Sequence, residues 1–267
     1  MIDYDKYWDT ENRLVRPNIP APIRSQHNIL EVSGKILIHE YYNNGSISYK
    51  SKIINRYLNF WSDIKFLPRT IADKWYDDMG KESKGDVWRE VGDYWIMTAT
   101  STTQKMYCLF GLWAGDNKRD FVKAVMNHDI DNGWTIKYKD ESVVNGSFFP
   151  FGIMALQRCV MGMITGRSPG LLSKIFLWTT TIWSRFPKNY IFWGKDLDEG
   201  EWFGICVWLY WIALMGKPKY LKKYFPKYEV RLQKWLDDEL ANTNDADIVS
   251  DTIKLEMFNK MKGVVNG

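Results

Sequence analysis

Three apolar runs constrain this chain more than anything else in it. Phe151–Thr165, Leu171–Phe186 and Trp202–Met215 follow one another with only short polar hinges between them. Each falls short of the roughly twenty apolar residues that a bilayer crossing needs. The spacing therefore predicts buried helices joined by short turns. Between the last two runs lies a polar knot, Lys195-Asp196-Leu197-Asp198-Glu199-Gly200-Glu201. The fold is organised around this block, and a basic tail follows it.

At 267 residues the chain is long enough to bury a sizeable core. Its 14 Trp, 15 Tyr and 13 Phe raise the aromatic share to 16%. Such residues fill cores as large plates, and they also make stacking surfaces for sugar rings or bases. A net charge of +4 is too small to imply nucleic-acid binding, and no specific nucleic-acid partner is expected. Cys108, Cys159 and Cys206 each sit inside an apolar run, which argues for reduced thiols rather than a disulfide framework. No Cys/His spacing points to zinc, and no cofactor is implied. The first residues, Met1-Ile2-Asp3-Tyr4-Asp5-Lys6, lack the apolar core of a signal peptide. No GxGxxG, P-loop, GxSxG or HExxH pattern occurs.

Pro17, Pro20 and Pro22 make residues 1–28 an extended arm. Ile29–Tyr42 reads as the first helix despite Gly34, with Ser25 or Asn28 as its N-cap. Lys52–Phe66 follows at helical period and Pro68 closes it. Asp73–Gly85 reads as a surface helix or loop, and Asp86–Trp113 as one long unit broken by Gly115-Asp116-Asn117. Phe121–Met126 makes a short helix, and His128-Asp129 with Asp131, which could also form a metal or acid/base group, reads better as a turn. Trp134–Tyr138 alternates as a strand or extended edge. Tyr228–Leu240 returns to helical spacing, and a short helix, Ile253–Met261, ends in a frayed Gly263–Gly267. No linker separates domains: residues 29–240 read as one helical domain carrying 241–267 as an acidic loop and a helix.

Apolar runs beginning near 29, 96, 153 and 203 suggest units of about fifty residues, the size of the helical hairpins in αα-repeat and toroidal folds. Ahead of these runs stand polar clusters, Arg24–Asn28, Arg89–Asp93 and Asp198–Glu201, with Trp88, Trp95 and Trp202 beside them. If the helices ring one axis, these clusters share one mouth. Aromatic plates beside carboxylates are what a sugar cleft needs, and a carboxylate pair can cleave a glycosidic bond. The same charges at helix starts are also ordinary caps and dipole partners. The candidate acid/base residues are Glu90, Asp93, Asp198, Glu199, Glu201 and His27. The candidate substrate contacts are Trp88, Trp95, Trp202, Arg89 and Arg158. Arg158, inside an apolar run, needs a carboxylate such as Glu90 or Asp93, or a polar cavity. Lys217–Lys234 is basic and aromatic; a solvated face balanced by the acids of Asp237–Asp251 is favoured over contact with an anionic membrane surface or nucleic acid.

The pieces Tyr7-Trp8-Asp9, Arg24–Asn28, Gly92-Asp93-Tyr94 and Pro187–Met215 resemble, in their order, a loose group of tailed-bacteriophage proteins. The helices of that group look similar to the (α/α) toroids of polysaccharide hydrolases and lyases. The resemblance implies a phage origin, in the host cytoplasm or the virion, and carries over no catalytic residue. The combined expectation is a mostly α fold, a full or partial toroid of helical hairpins with short extended segments near 134–138. Its expected function is to bind, and as an enzyme to cleave, a bacterial surface polysaccharide in a Trp-lined cleft. The competing expectation is a non-enzymatic structural or interaction protein of the particle, working through self-association or other phage proteins.

Overall fold

Gly34 explains how the first helices come together. In the computed structural model, which describes residues 8–9, 14–15, 29–43, 58–73, 88–115, 118–138, 144–183, 198–243 and 248–267, Gly34 lies midway along α1 (Ile29–Asn43). A Cβ there would collide with the backbone of Tyr107 and Cys108 in α3 (Thr102–Gly115). On the α3 side, a Cβ on Gly111 would stand 2.5 Å from the Gly34 carbonyl oxygen and 2.7 Å from Leu37 Cβ. The two helices thus cross backbone to backbone, and two glycines that cost helix propensity permit it. Around the crossing lie buried Leu30, Ile36, Leu37, Met106, Leu109 and Phe110.

The chain divides into two compact units, Met1–Ser147 with Thr243–Ile253, and Phe148–Asn242 with Lys254–Gly267. The first unit holds α1 and α3, a helical stretch over 58–64 (α2), and α4 (Arg119–Asp131). It also holds strands. β1 (Trp8–Asp9) pairs antiparallel with β2 (Leu14–Val15). β3 (Thr70–Asp73), β5 (Tyr94–Met97) and β4 (Trp88–Val91) form an antiparallel sheet in that order. β6 (Thr135–Lys137) pairs with β7 (Val144–Ser147), so the expected extended segment near 134–138 is present.

The second unit is helical among its described residues. It contains α5 (Gly152–Thr165), α6 (Leu171–Trp183), α7 (Glu199–Leu214), α8 (Lys219–Tyr224), a 3₁₀ turn at Phe225–Lys227, and α9 (Glu229–Asn242). α7 is buried on every side from Trp202 to Ala213, as a helix apolar all round must be. α5, α8 and α9 pack against it. α10 (Ile248–Asn266) is shared: Ser250 and Asp251 belong to the first unit, while Phe258 meets Phe225 at 5.1 Å in the second. The described chain is mostly helical, and none of its helices is long and apolar enough to cross a membrane.

Several boundaries differ from the sequence reading. The apolar run near 96 opens as strand β5, and its helix begins only at Thr102. Gly92, at φ 57°, takes the first position of a two-residue loop between Val91 and Tyr94, which closes a hairpin. Helix α3 then starts at a capping box: Ser101 Oγ accepts from the Gln104 N–H, and Gln104 Oε1 accepts from the Ser101 N–H, both at 3.2 Å. Helix α4 runs on through His128, Asp129 and Asp131, where a turn was expected. The turn comes at Gly133 (φ 74°) and Trp134 (φ 64°) instead. Asp73 ends a strand, and 74–85 lie outside the described residues. The last helix starts five residues earlier than expected and continues through Gly263.

Candidate functional site

The turns after α5 and α7 build a cleft in the second unit. Thr165 Oγ1 donates to the Met161 carbonyl at 2.7 Å, and Gly166 ends α5 in the left-handed conformation at φ 74°. Pro169 is buried, and Gly170 at φ 88° releases the chain into α6. Gly162 leaves room for this turn: a Cβ on it would lie 2.8 Å from the Arg167 carbonyl oxygen. At the end of α7, the Gly216 N–H donates to Ala213 O at 2.9 Å and the Lys217 N–H to Ile212 O at 3.2 Å. With Gly216 at φ 90°, this pair of bonds closes α7 and turns the chain towards α8.

The resulting cleft has a volume of about 510 Å³. Its apolar wall includes Met163, Leu177 and Ile212, and its rim carries Arg167, Lys174 and Lys217 with Ser168 and Tyr220. Among the described residues, neither a carboxylate nor a histidine lines it. Cys159 is buried in its wall, 4% exposed, and its Sγ donates to the Ser173 carbonyl at 3.6 Å. Burial pushes that thiol up to about 11 against the opposing pull of the Lys174 ammonium, so it stays protonated and is a poor nucleophile. The site offers cations and hydroxyls over an apolar wall. It fits an anion that carries an apolar portion.

The residues expected from the sequence fall elsewhere. Asp198 is the N-cap of α7, its Oδ1 accepting from the Glu201 N–H at 2.7 Å, while Glu201 Oε2 accepts from the Asp198 N–H at 3.3 Å. That capping box uses both carboxylates. Glu199 accepts from Arg231 Nε at 2.5 Å, and this hydrogen bond holds its carboxyl below the usual range. Trp202 is buried and stacked on Tyr228 at 4.2 Å between ring centroids, so that face is occupied within the core. Arg158 Nε donates to the Phe148 carbonyl, and partial burial lowers its pKa. In the first unit, Arg89 and Glu90 lie on β4 and Asp93 in the hairpin loop, not ahead of a helix. Glu90 and Asp93 are both exposed. Trp88 and Trp95 have their backbones in β4 and β5, with Trp95 opposite Glu90 in the register. His27 lies outside the described residues.

A second polar cluster, in the first unit, is structural. Lys105 Nζ lies 2.7 Å from each oxygen of Asp129, and both side chains are 1% exposed. Trp61 covers the pair, with Lys105 6.0 Å from its ring centroid and His128 edge-on at 5.1 Å. The His128 ring nitrogen stands 3.9 Å from Asp129. The pair ties α3 to α4.

The chain matches no known protein family, no characterised protein and no solved structure.

Proposed function

We propose that this chain is a binding or interaction protein, and that the cleft beside α6 takes an anionic amphiphile. The observation that supports this is the lining: among the described residues, three cations and two hydroxyl side chains over an apolar wall, without a carboxylate. A phosphate or carboxylate head group sits between Arg167, Lys174 and Lys217, and an alkyl or aromatic portion rests on Met163, Leu177 and Ile212. Calorimetric titration with octyl phosphate tests it, with octyl glucoside as the neutral control. Binding should weaken with salt, and Arg167→Glu with Lys217→Glu should cost about tenfold or more in Kd, which corresponds to about 1.4 kcal/mol. Equal affinity for the neutral detergent would overturn the reading.

A second reading keeps the carbohydrate expectation. Its support is that Glu90 and Asp93 are both exposed on one hairpin. In that reading the helices close as an (α/α) toroid, and the chain acts on a bacterial surface polysaccharide as a phage protein. Oligosaccharide release by the pure protein, abolished by Glu90→Gln, would support it. No release from the probable host's polysaccharide would leave the cleft as the working site.

A further inference from the structure

We infer that α6, together with the basic turns beside it, docks this protein onto an anionic lipid surface. Leu171, Leu172, Ile175 and Trp178 are all exposed on α6, Leu171 at 72% and Trp178 at 67%. Their spacing puts them on one face of the helix, while Ser173, buried, marks the opposite face that packs inward. A soluble helix rarely turns an unbroken apolar stripe to water, and a stripe ending in Trp is the form that interfacial helices take. Lys174 flanks the stripe on the same helix.

The charge around the stripe selects the occupant. No Asp or Glu occurs between Glu141 and Asp196, or between Glu201 and Glu229. α8 packs on α6 and brings Lys219, Lys222 and Lys223, all exposed, with Lys217 in the turn before it. Three acids of the second unit are engaged with other basic side chains. Glu199 meets Arg231, Glu229 meets Lys262 at 3.0 Å, and Glu239 meets Lys254 at 3.3 Å. An apolar stripe inside a field of lysines repels a second copy of itself and matches acyl chains beneath anionic head groups. Nucleic acid would meet the lysines but has no use for exposed Leu171, Leu172 and Ile175. The inference shares Lys174 and Lys217 with the cleft reading, but it stands on the stripe, which that reading does not use.

The test is cosedimentation of the full chain with phosphatidylcholine vesicles, with and without phosphatidylserine, at low and high salt. Binding is expected only with phosphatidylserine, falling several-fold at high salt as the lysines are screened. The double variant Leu171→Ser, Trp178→Ser changes two exposed side chains and should lose about tenfold or more in vesicle binding, while its affinity for octyl phosphate stays unchanged. Three results would overturn the docking: no sedimentation with anionic vesicles, undiminished binding by the double variant, or displacement by an RNA homopolymer at equal phosphate. Octyl phosphate binding without vesicle binding would refute the docking alone. Stripe-dependent vesicle binding without octyl phosphate binding would refute the cleft alone.

Discussion

Lys105 and Asp129 show how much a single buried pair can hold. The ammonium donates to Oδ1 and lies 2.7 Å from each carboxylate oxygen, so neither charge is left uncompensated. Removing one partner strands the other in the core, which typically costs about 3–5 kcal/mol. Asp129→Asn should therefore lower the urea midpoint sharply. The double replacement Lys105→Met, Asp129→Leu removes both charges and should recover most of that loss. A double variant no more stable than Asp129→Asn would show that packing, not charge, dominates the site. The thiols give a pH dependence of definite sign. Burial pushes Cys108 and Cys206 up to about 12, whereas an unfolded thiol ionises near about 8.5. Below pH 8 both states hold the proton and these thiols contribute no slope. Above it the unfolded chain releases protons that the core retains, so stability falls as pH rises towards 12. Urea midpoints measured from pH 7 to 10.5 should decline, and Cys206→Ala should flatten the decline.

Among the elements, the α1–α3 crossing is the most exacting. Gly34→Ala or Gly111→Ala forces a methyl into opposing backbone, and overpacking of this kind costs about 1–3 kcal/mol. Thermal unfolding of either variant should show the loss, although alanine improves helix propensity at both positions. The sequence shows Gly34 only as a blemish in a helix, because a crossing partner seventy-odd residues away leaves no local trace. The block α5, α6 and α7 was legible because its apolar runs are contiguous and each is cut off by Gly, Pro or an acid. Strand β5 was not, since the stretch that parts Tyr94–Met97 from the apolar run of α3 is Thr-rich and holds neither Gly nor Pro to mark the boundary. The signal that separates them is Ser101 with Gln104, a capping box inside a Thr-rich stretch. Asp198–Glu201 was readable both as a cap and as part of a cleft, and its hydrogen bonds are those of a cap. The cleft itself was largely hidden. Arg167, Lys174 and Lys217 come from three stretches of chain and converge only after two helix ends have turned; of these, only the basic segment containing Lys217 stood out.

At the scale of the whole molecule, the first unit is not a continuous stretch of chain. Thr243 Oγ1 donates to Asp251 at 2.7 Å, and Lys35, buried, donates to Ser250 at 2.8 Å and pairs with Glu31 at 2.7 Å. A fragment of residues 1–147 therefore lacks a hydrogen-bond partner for a buried lysine. Hydrogen exchange on that fragment should show weaker protection in α1 than in the full chain, and restoration on adding a peptide of residues 243–267 would tie the loss to this contact. Protection equal to that of the full chain would show that α1 and α3 are self-sufficient. The same connectivity sets an order of events during translation. Lys35 leaves the ribosome more than two hundred residues before Ser250, so the whole of α5 to α9 is synthesised while that ammonium waits in an unfinished core. The second unit can begin to condense meanwhile, but the first cannot close around Lys35 until α10 arrives. A ribosome pausing within α9 would thus hold a nascent chain whose earliest helices are still open to chaperones and proteases.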